Sequence, residues 1–315
     1  MILYLSEKEI GHLVDIADAV NAVESVGRSM AARETIFEPR TRLRMKNGFL
    51  HLMPASMEND RVFGYKAYTC FKGKARFFVH LFDGETGVPL AIMEGDKLGQ
   101  LRTGAASAAA TRVLARRNAE SFGLFGSGYQ AESQLEAVLS VKKFKDIRVY
   151  SRNFEHAQKF SAMMGEKLGM AVRAVKDPAE AASCDVVTTI TAATSPVLSG
   201  EFLRPGCHVN AAGGNMLVKR ELDERAVERA GLIVIDGREQ GKKECGDFLP
   251  LIEKGKLHWD DVREFGDLFS GAASRSDDEE ITLFKSQGIA PWDVALAKVA
   301  YERAVESKTG TSLNL

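Results

Sequence analysis

The 315-residue sequence has little of what marks a secreted, membrane or nucleic-acid-binding protein. Its four cysteines, Cys70, Cys184, Cys207 and Cys245, are scattered without C-x-x-C spacing, and its six histidines form no H-x-x-x-H pair. A reduced, metal-free, cytoplasmic protein is therefore expected. No apolar run is long enough to span a bilayer. The opening M-I-L-Y-L-S-E-K-E-I turns acidic without a basic n-region, so no signal peptide is expected. Charge of either sign is balanced, 42 Lys and Arg against 43 Asp and Glu, and no basic stripe is present for nucleic acid. No internal repeat or low-complexity linker breaks the chain. The length suffices for two domains and a large core.

What is present is a phosphate-binding turn in mid-chain. Residues 121–131 read S-F-G-L-F-G-S-G-Y-Q-A: a short apolar run, then Gly126-Ser127-Gly128, then a helical pattern opened by Tyr129, Gln130 and Ala131. With G-x-G-x-x-A spacing, Gly126 permits a tight turn. Gly128 lets backbone N–H groups approach a pyrophosphate at the helix N-terminus, and Ala131 lets helix and strand pack closely. A plain strand–turn–helix would share the spacing. The second apolar run at Ile147–Tyr150, about one helix length later, favours the dinucleotide reading.

The flanking pattern predicts an α/β protein of two domains. Ile2–Leu5 reads as a strand, and Ser6 and Glu9 have capping-box spacing. A helix is expected from Asp15 to about Glu34. Strand signals follow at 41–45, 49–53, 62–71, 76–82 and 88–93, separated by turn residues, which predicts a small antiparallel sheet. The alanine-rich helix within 99–117 predicts close packing against another element, a second subunit among the candidates. From Glu120 strands and helices alternate, with strands expected at 121–125, 147–150, 171–175, 185–190, 207–211, 232–235 and 281–284. This is the doubly wound, Rossmann pattern. Pro291 suits a helix N-terminus, with a helix to about Ser307. The expected division is a smaller α+β substrate and dimerisation domain over 1–117, rejoined by a C-terminal helix in 291–315, and a nicotinamide-dinucleotide-binding domain over 118–290.

Ten blocks in order resemble the ornithine cyclodeaminase/mu-crystallin family. They are P-R-T at 39, G-F-L-H-L-M-P at 48, G-Y-K at 64, F-D-G-E-T-G at 82, L-R-T-G-A-A-S at 101, G-S-G-Y-Q at 126, D-V-V-T-T-I-T at 185, P-G-C-H-V-N-A-A-G-G at 205, R-E-L-D at 220 and I-T-L-F-K-S-Q-G at 281. The resemblance implies a homodimer that moves a hydride to or from the α-carbon of a small amino or imino acid. By position, Arg40 matches the arginine that grips the substrate carboxylate, with Arg42 and Arg44 close enough to confuse the alignment. Lys66 matches an active-site lysine that holds the carboxylate or donates a proton; a solvent-facing lysine on an alternating strand is the bland reading. Arg102 matches an arginine touching both substrate and cofactor, and Gln287 a substrate-side position. Gly126, Gly128, Tyr129, Gln130, Thr191, Val209, Asn210, Ala211, Ala212, Lys219 and Ser286 match cofactor-lining positions, although strand core explains the apolar ones equally well.

Two departures separate this chain from the cyclodeaminases. After the second Rossmann strand stand Ser151 and Arg152 where an NAD enzyme usually has Asp or Glu for the ribose 2′-hydroxyl. A hydroxyl and a cation suit a 2′-phosphate, so NADP(H) is favoured over NAD(H). Asn215 replaces the cyclodeaminase aspartate that serves as general base, and an amide takes no proton at neutral pH. Gly99 and Glu94 also depart, from threonine and aspartate. The expectation is an NADP(H)-dependent reductase of a small cyclic ketimine or imino acid such as pyrroline-2-carboxylate, or the reverse amino-acid oxidation, without nucleic-acid or membrane partners. Ornithine cyclodeaminase with bound NAD and a mu-crystallin-like ligand-binding protein are the alternatives.

Overall fold

The computed structural model describes residues 2–314, which divide into two compact units. Unit 1 takes the chain up to Arg102 and from Ile289 on; unit 2 is Thr103–Gly288. The division falls inside a helix, not at the expected 117, and at 288/289, not 290.

Unit 1 begins with β1 (Ile2–Leu5), α1 (Glu7–Leu13), α2 (Ile16–Ala31), β2 (Thr35–Phe37), β3 (Thr41–Met45), β4 (Gly48–Met57), β5 (Val62–Phe71), β6 (Lys74–Asp83), β7 (Pro89–Glu94) and the start of α3 (Asp96–Leu114). Ser6 and Glu9 form the expected capping box. Unit 2 carries β8 (Ser121–Phe125), α4 (Tyr129–Val141), β9 (Asp146–Tyr150), α5 (Phe154–Leu168), β10 (Arg173–Val175), α6 (Pro178–Ala182), β11 (Val186–Thr189), β12 (His208–Ala211), α7 (Glu224–Glu228), β13 (Ala230–Ile235), α8 (Arg238–Glu244), α9 (Leu249–Glu253), β14 (Arg263–Glu264), α10 (Asp267–Ser270) and β15 (Ile281–Lys285). The chain then returns to unit 1 with α11 (Ala290–Ser307) and β16 (Thr311–Leu313).

The sheet of unit 1 runs β16-β1-β7-β6-β5-β4-β2, with β3 also paired to β4. Strand β4 is longer than its sequence suggested and passes through Pro54. The reason lies at its edge: β3 pairs with residues 48–52 and β2 with 55–57. Pro54 falls in the gap between them, where a missing N–H costs no ladder bond. Strands β2 and β16 are too short to show an alternation. Helix α11 packs on β4, β5 and β6 and on α2, and is buried over most of its first two turns.

The sheet of unit 2 is parallel, in the order β10-β9-β8-β11-β12-β15-β13-β14. The first five strands reproduce the 3-2-1-4-5 order of a dinucleotide-binding sheet, and β15 inserts beside β12. Apolar side chains cover both faces, with Phe122, Leu124 and Val149 on one and Phe125, Val187 and Val209 on the other. The alanines of α3 are buried within the chain, and the backbone at Gly104 lies so close to that at Ser133 of α4 that any Cβ would collide. Gln134 Nε2 adds a bond to Thr103 O at 3.0 Å. This packing holds residues 103–114 to unit 2 and sets the division at Arg102.

Candidate functional site

Unit 1 gathers two cations on one carboxylate, with a third, Arg40, close to Lys66. Lys66 is the fifth residue of β5, and Arg102 lies in the second turn of α3. Asp293, in the first turn of α11, receives both: Lys66 Nζ at 2.8 Å and Arg102 Nε at 3.2 Å, each on Oδ1. Arg40 sits between β2 and β3, and its Nε donates to the Met53 sulfur at 3.2 Å. Met53 stands directly opposite Lys66 in the β4/β5 pairing. Arg40, Lys66, Arg102 and Asp293 are all buried.

Burial pushes the Lys66 ammonium down to about 8, and Arg102 and Arg40 push the same way against Asp293. Burial also opposes ionisation of Asp293, but Arg102 and Lys66 hold its carboxyl below the usual range. Asp293 Oδ2 accepts no hydrogen bond among the described residues. The arrangement can bind a carboxylate and offer a proton near neutral pH. Lys66 is therefore not a solvent-facing strand residue.

Gly99 leaves room for Lys66. A Cβ there would lie 2.8 Å from Nζ. The helix that carries Gly99 and Arg102 is pinned by acids at its start: Glu7 accepts the N–H groups of Asp96 and Lys97 at 2.5 and 2.9 Å. Glu94 accepts Glu7 N–H at 2.7 Å and the Tyr4 hydroxyl at 3.1 Å. Both of its oxygens are thus committed to structure.

In unit 2 the expected residues collect at the carboxyl ends of the strands. Gly126 follows β8 with φ +121°, and a Cβ on it would meet Ile190 O at 2.5 Å. Gly128 is the N-cap of α4 and a Cβ there would meet nothing within 4 Å, which leaves the helix N-terminus open to an anion. Tyr129 is exposed, and Gln130 Oε1 is buried without a hydrogen-bond partner among the described residues. Ser151 and Arg152 directly follow β9 and line a depression of about 860 Å³ with Asn153, Phe154, His156 and Lys176. Glu155 also lines it. These features fit a dinucleotide whose pyrophosphate meets α4 and whose adenosine ribose lies at the end of β9.

Other expected cofactor residues are differently employed. Val209 is core. The Asn210 side chain is enclosed, donating to Thr111 Oγ1 at 2.9 Å and Thr188 Oγ1 at 3.3 Å and bonded to His208 Nε2 at 3.1 Å. As consecutive strand residues the two face opposite sides of the sheet; Ala211 closes the strand in the same core cluster as Val209, and Ala212 follows it. Thr191 donates its N–H and hydroxyl to Glu221 at 2.6 and 2.8 Å. Lys219 and Asn215 lie in the loop after β12. Ser286 and Gln287 follow β15, with Ser286 Oγ and the Gln287 and Gly288 N–H groups directed at Asp236 Oδ2 at 3.2, 2.6 and 2.6 Å.

Sequence reasoning missed Asp293, Asp236 and the buried trio Glu221, Asp247 and Lys285. Lys285 Nζ lies 2.9 Å from Asp247 and 3.3 Å from Gly214 O, while Glu221 also takes Gly213 N–H at 2.7 Å. Together they fix the loop that bears Asn215. The available signal was a charge closing an apolar run, as in I-T-L-F-K and L-I-V-I-D. Asp293 looked like an ordinary acid in a helix's first turn.

Comparison with known proteins agrees with this geometry. The model of the ornithine cyclodeaminase/mu-crystallin family matches residues 2–308. The chain is 35% identical over 323 residues to Delta(1)-pyrroline-2-carboxylate reductase of Bacillus cereus, covering 99% of both chains. The structure of Thermococcus litoralis Delta(1)-pyrroline-2-carboxylate reductase with NADH and L-proline superposes with a TM-score of 0.94 at 32% identity, covering 99% of this chain and 100% of that one. An archaeal alanine dehydrogenase dimer with bound NAD gives 0.93 at 34% identity, covering 100% and 99%. With its blocks in order, its two sheets and its buried Lys66–Asp293–Arg102 cluster, the chain belongs to the ornithine cyclodeaminase/mu-crystallin family.

Proposed function

We propose that this protein is a nicotinamide-dependent reductase of a small imino acid, pyrroline-2-carboxylate or the imine of a 2-oxo acid with ammonia, working preferentially with NADP(H). The observation that carries this reading is the buried pair of Lys66 and Arg102 on Asp293 Oδ1, with Arg40 buried close to Lys66. It provides for a carboxylate and for one proton, which is what imine reduction needs from the protein.

Arg40 and Arg102 hold the substrate carboxylate and so fix the α-carbon. Lys66, pushed down to about 8, holds a transferable proton at Nζ for the imine nitrogen or a water beside it. Asp293 aims Nζ and keeps it protonated. The reduced nicotinamide, when bound, supplies the hydride to the α-carbon. Gly126, Gly128, Tyr129 and Gln130 cradle the pyrophosphate, and Ser151 and Arg152 take the 2′-phosphate. Ala211, Ala212, Lys219, Ser286 and Gln287 complete the cofactor and substrate contacts. The protein acts as a cytoplasmic homodimer, in keeping with its dimeric archaeal relative. Cyclodeamination has less support, since Asn215 is no base and Glu94 is committed to α1 and Tyr4.

The test is a screen of pyrroline-2-carboxylate, piperideine-2-carboxylate and pyruvate with ammonia, each with NADPH and NADH, beside ornithine with NAD. Reduction of at least one imino acid, faster with NADPH, is expected. Proline and ammonia from ornithine at a comparable rate would overturn it, as would no turnover of any imino acid.

A further inference from the structure

Two loops of unit 2 are tied together by one buried carboxylate. Glu221 lies between β12 and α7, is fully buried, and accepts a backbone N–H and a threonine hydroxyl on each oxygen. Its Oε1 takes the N–H and hydroxyl of Thr191 at 2.6 and 2.8 Å. Its Oε2 takes the Thr189 hydroxyl at 2.9 Å and the Gly213 N–H at 2.7 Å. Thr189 ends β11, with Thr191 just beyond it, and Gly213 lies just beyond the end of β12. The two loops meet backbone to backbone, since a Cβ on Gly213 would lie 2.3 Å from Thr191 O and 2.4 Å from Thr191 N.

Glu221 is itself held. Its N–H and that of Leu222 donate to Asp247 Oδ1 at 2.6 and 2.9 Å, and the other oxygen of Asp247 lies 2.9 Å from Lys285 Nζ. Burial pushes the Glu221 carboxyl up, Lys285 pulls it down, and Asp247 sides with burial. Stability alone does not call for such a group, because well-packed apolar side chains close a gap of this kind at least as well. What the carboxylate adds is a fixed geometry for two strand ends at once.

The place of the clamp gives that geometry a use. In the strand order β10-β9-β8-β11-β12, the glycine turn follows β8 and the proposed ribose site follows β9. A dinucleotide laid along the carboxyl ends of these strands therefore carries its nicotinamide half over β11 and β12. We propose that Glu221 is a positioning residue for hydride transfer: it holds the β11 and β12 loops as a rigid seat for the nicotinamide ring and touches neither substrate nor cofactor. The inference rests on the reading of this protein as a nicotinamide-dependent reductase, and assigns Glu221 to the nicotinamide half of the cofactor and not to the adenosine half.

Glutamine at this position keeps size and burial but replaces one oxygen with an NH₂ group. On the Oε1 side that group would face the Thr191 N–H, and on the Oε2 side the Gly213 N–H. A threonine hydroxyl can turn to accept, but a backbone N–H cannot. One loop is released whichever way the amide sits.

The test compares Glu221→Gln with wild type in cofactor binding and in pyrroline-2-carboxylate reduction with NADPH. The kcat is expected to fall about tenfold or more, because a misplacement of about 1 Å at the reacting atoms can cost about 10²-fold. The KM for pyrroline-2-carboxylate should stay within about threefold. Without substrate, the fluorescence of bound NADPH should move toward that of free cofactor. The Kd of 2′,5′-ADP, which has no nicotinamide, should stay within about twofold (ADP-ribose serves if NADH binds better than NADPH). Thr189→Val removes one hydroxyl from Oε2, should show the same pattern at about threefold, and carries the test if Glu221→Gln does not fold. Wild-type kcat and bound-cofactor fluorescence in the folded variant, with only the melting temperature lowered, would make the clamp structural alone and leave the reductase reading standing. Equal weakening of NADPH and 2′,5′-ADP likewise overturns the assignment. If wild type binds neither NADPH nor NADH, or reduces no imino acid, both readings fall.

Discussion

Lys66 Nζ and Asp293 Oδ1 stand 2.8 Å apart although 227 residues separate them in the chain. One comes from mid-strand in β5, the other from the first turn of α11. Lys66 has no other charged partner of opposite sign among the ion pairs of the described residues, while Asp293 also receives Arg102 on the same oxygen. The pair therefore decides where the proton of Lys66 sits and how tightly it is held.

Asp293→Asn is expected to move the alkaline limb of imine reduction to lower pH. Asp293 is what raises the lysine against burial and two guanidiniums, so its charge removed leaves Lys66 below about 8. Activity that depends on the protonated lysine is then lost as pH rises through a lower value. Leaving buried cations uncompensated should also cost about 3–5 kcal/mol of stability. A pH–rate profile with a parallel thermal melt checks both. An unmoved limb would show that Lys66 is not the acid.

Gly99→Ala is expected to separate activity from stability. The new Cβ would sit 2.8 Å from Lys66 Nζ, which can swing aside at little cost because it ends a flexible side chain. Alanine is better than glycine in a helix interior by about 1 kcal/mol, so the melting temperature should hold or rise. A displaced proton donor should nevertheless lower kcat/KM about tenfold to a hundredfold. A variant with normal turnover would mean that the space at Gly99 serves no purpose in positioning Lys66.

Arg152→Ala should weaken NADPH by about tenfold or more and leave NADH nearly unchanged. A charge-assisted hydrogen bond contributes about 1.5–3 kcal/mol, and only the 2′-phosphate can draw on this one. Fluorescence titration of both cofactors reads the effect without turnover. Equal weakening of the two would remove the basis for NADP(H) preference.

Asn215→Asp should raise the conversion of ornithine to proline from a low or absent level, since a positioned base contributes about 10²–10⁴-fold. Imine reduction should fall or stay level. Glu94 does not stand in for the missing acid, because Glu7 N–H and the Tyr4 hydroxyl occupy it. Efficient proline formation by wild type would require another carboxylate near the substrate.

The local grammar of the sequence reached far. The glycine turn at 126–128, the capping box at Ser6 and most of the strand periodicities depend on neighbours a few residues away and appear where the residues place them, whereas β4 runs on to Met57, β10 begins only at Arg173, and β2 and β16 had no such signal. Arg40, Lys66 and Arg102 were legible because their blocks resemble a known family. The helix at 99–117 could be seen as closely packed, but its partner, α4, could not be named.

The sequence by itself determined that this chain has a parallel, dinucleotide-binding sheet and an antiparallel run of strands from β3 to β7, because hydrophobic period and turn chemistry are local properties; that β1 joins the latter sheet in parallel with β7 was decided by the fold. The tertiary structure decided which charges are buried together. Asp293 meets Lys66 and Arg102 only when α11 returns to the sheet. Asp236 finds the Ser286–Gly288 turn, and Lys285 finds Asp247, across β13 and β15 or the loops beside them. A pKa depends on desolvation and on charges within a few ångströms, and such distances between residues far apart in the chain exist only after folding.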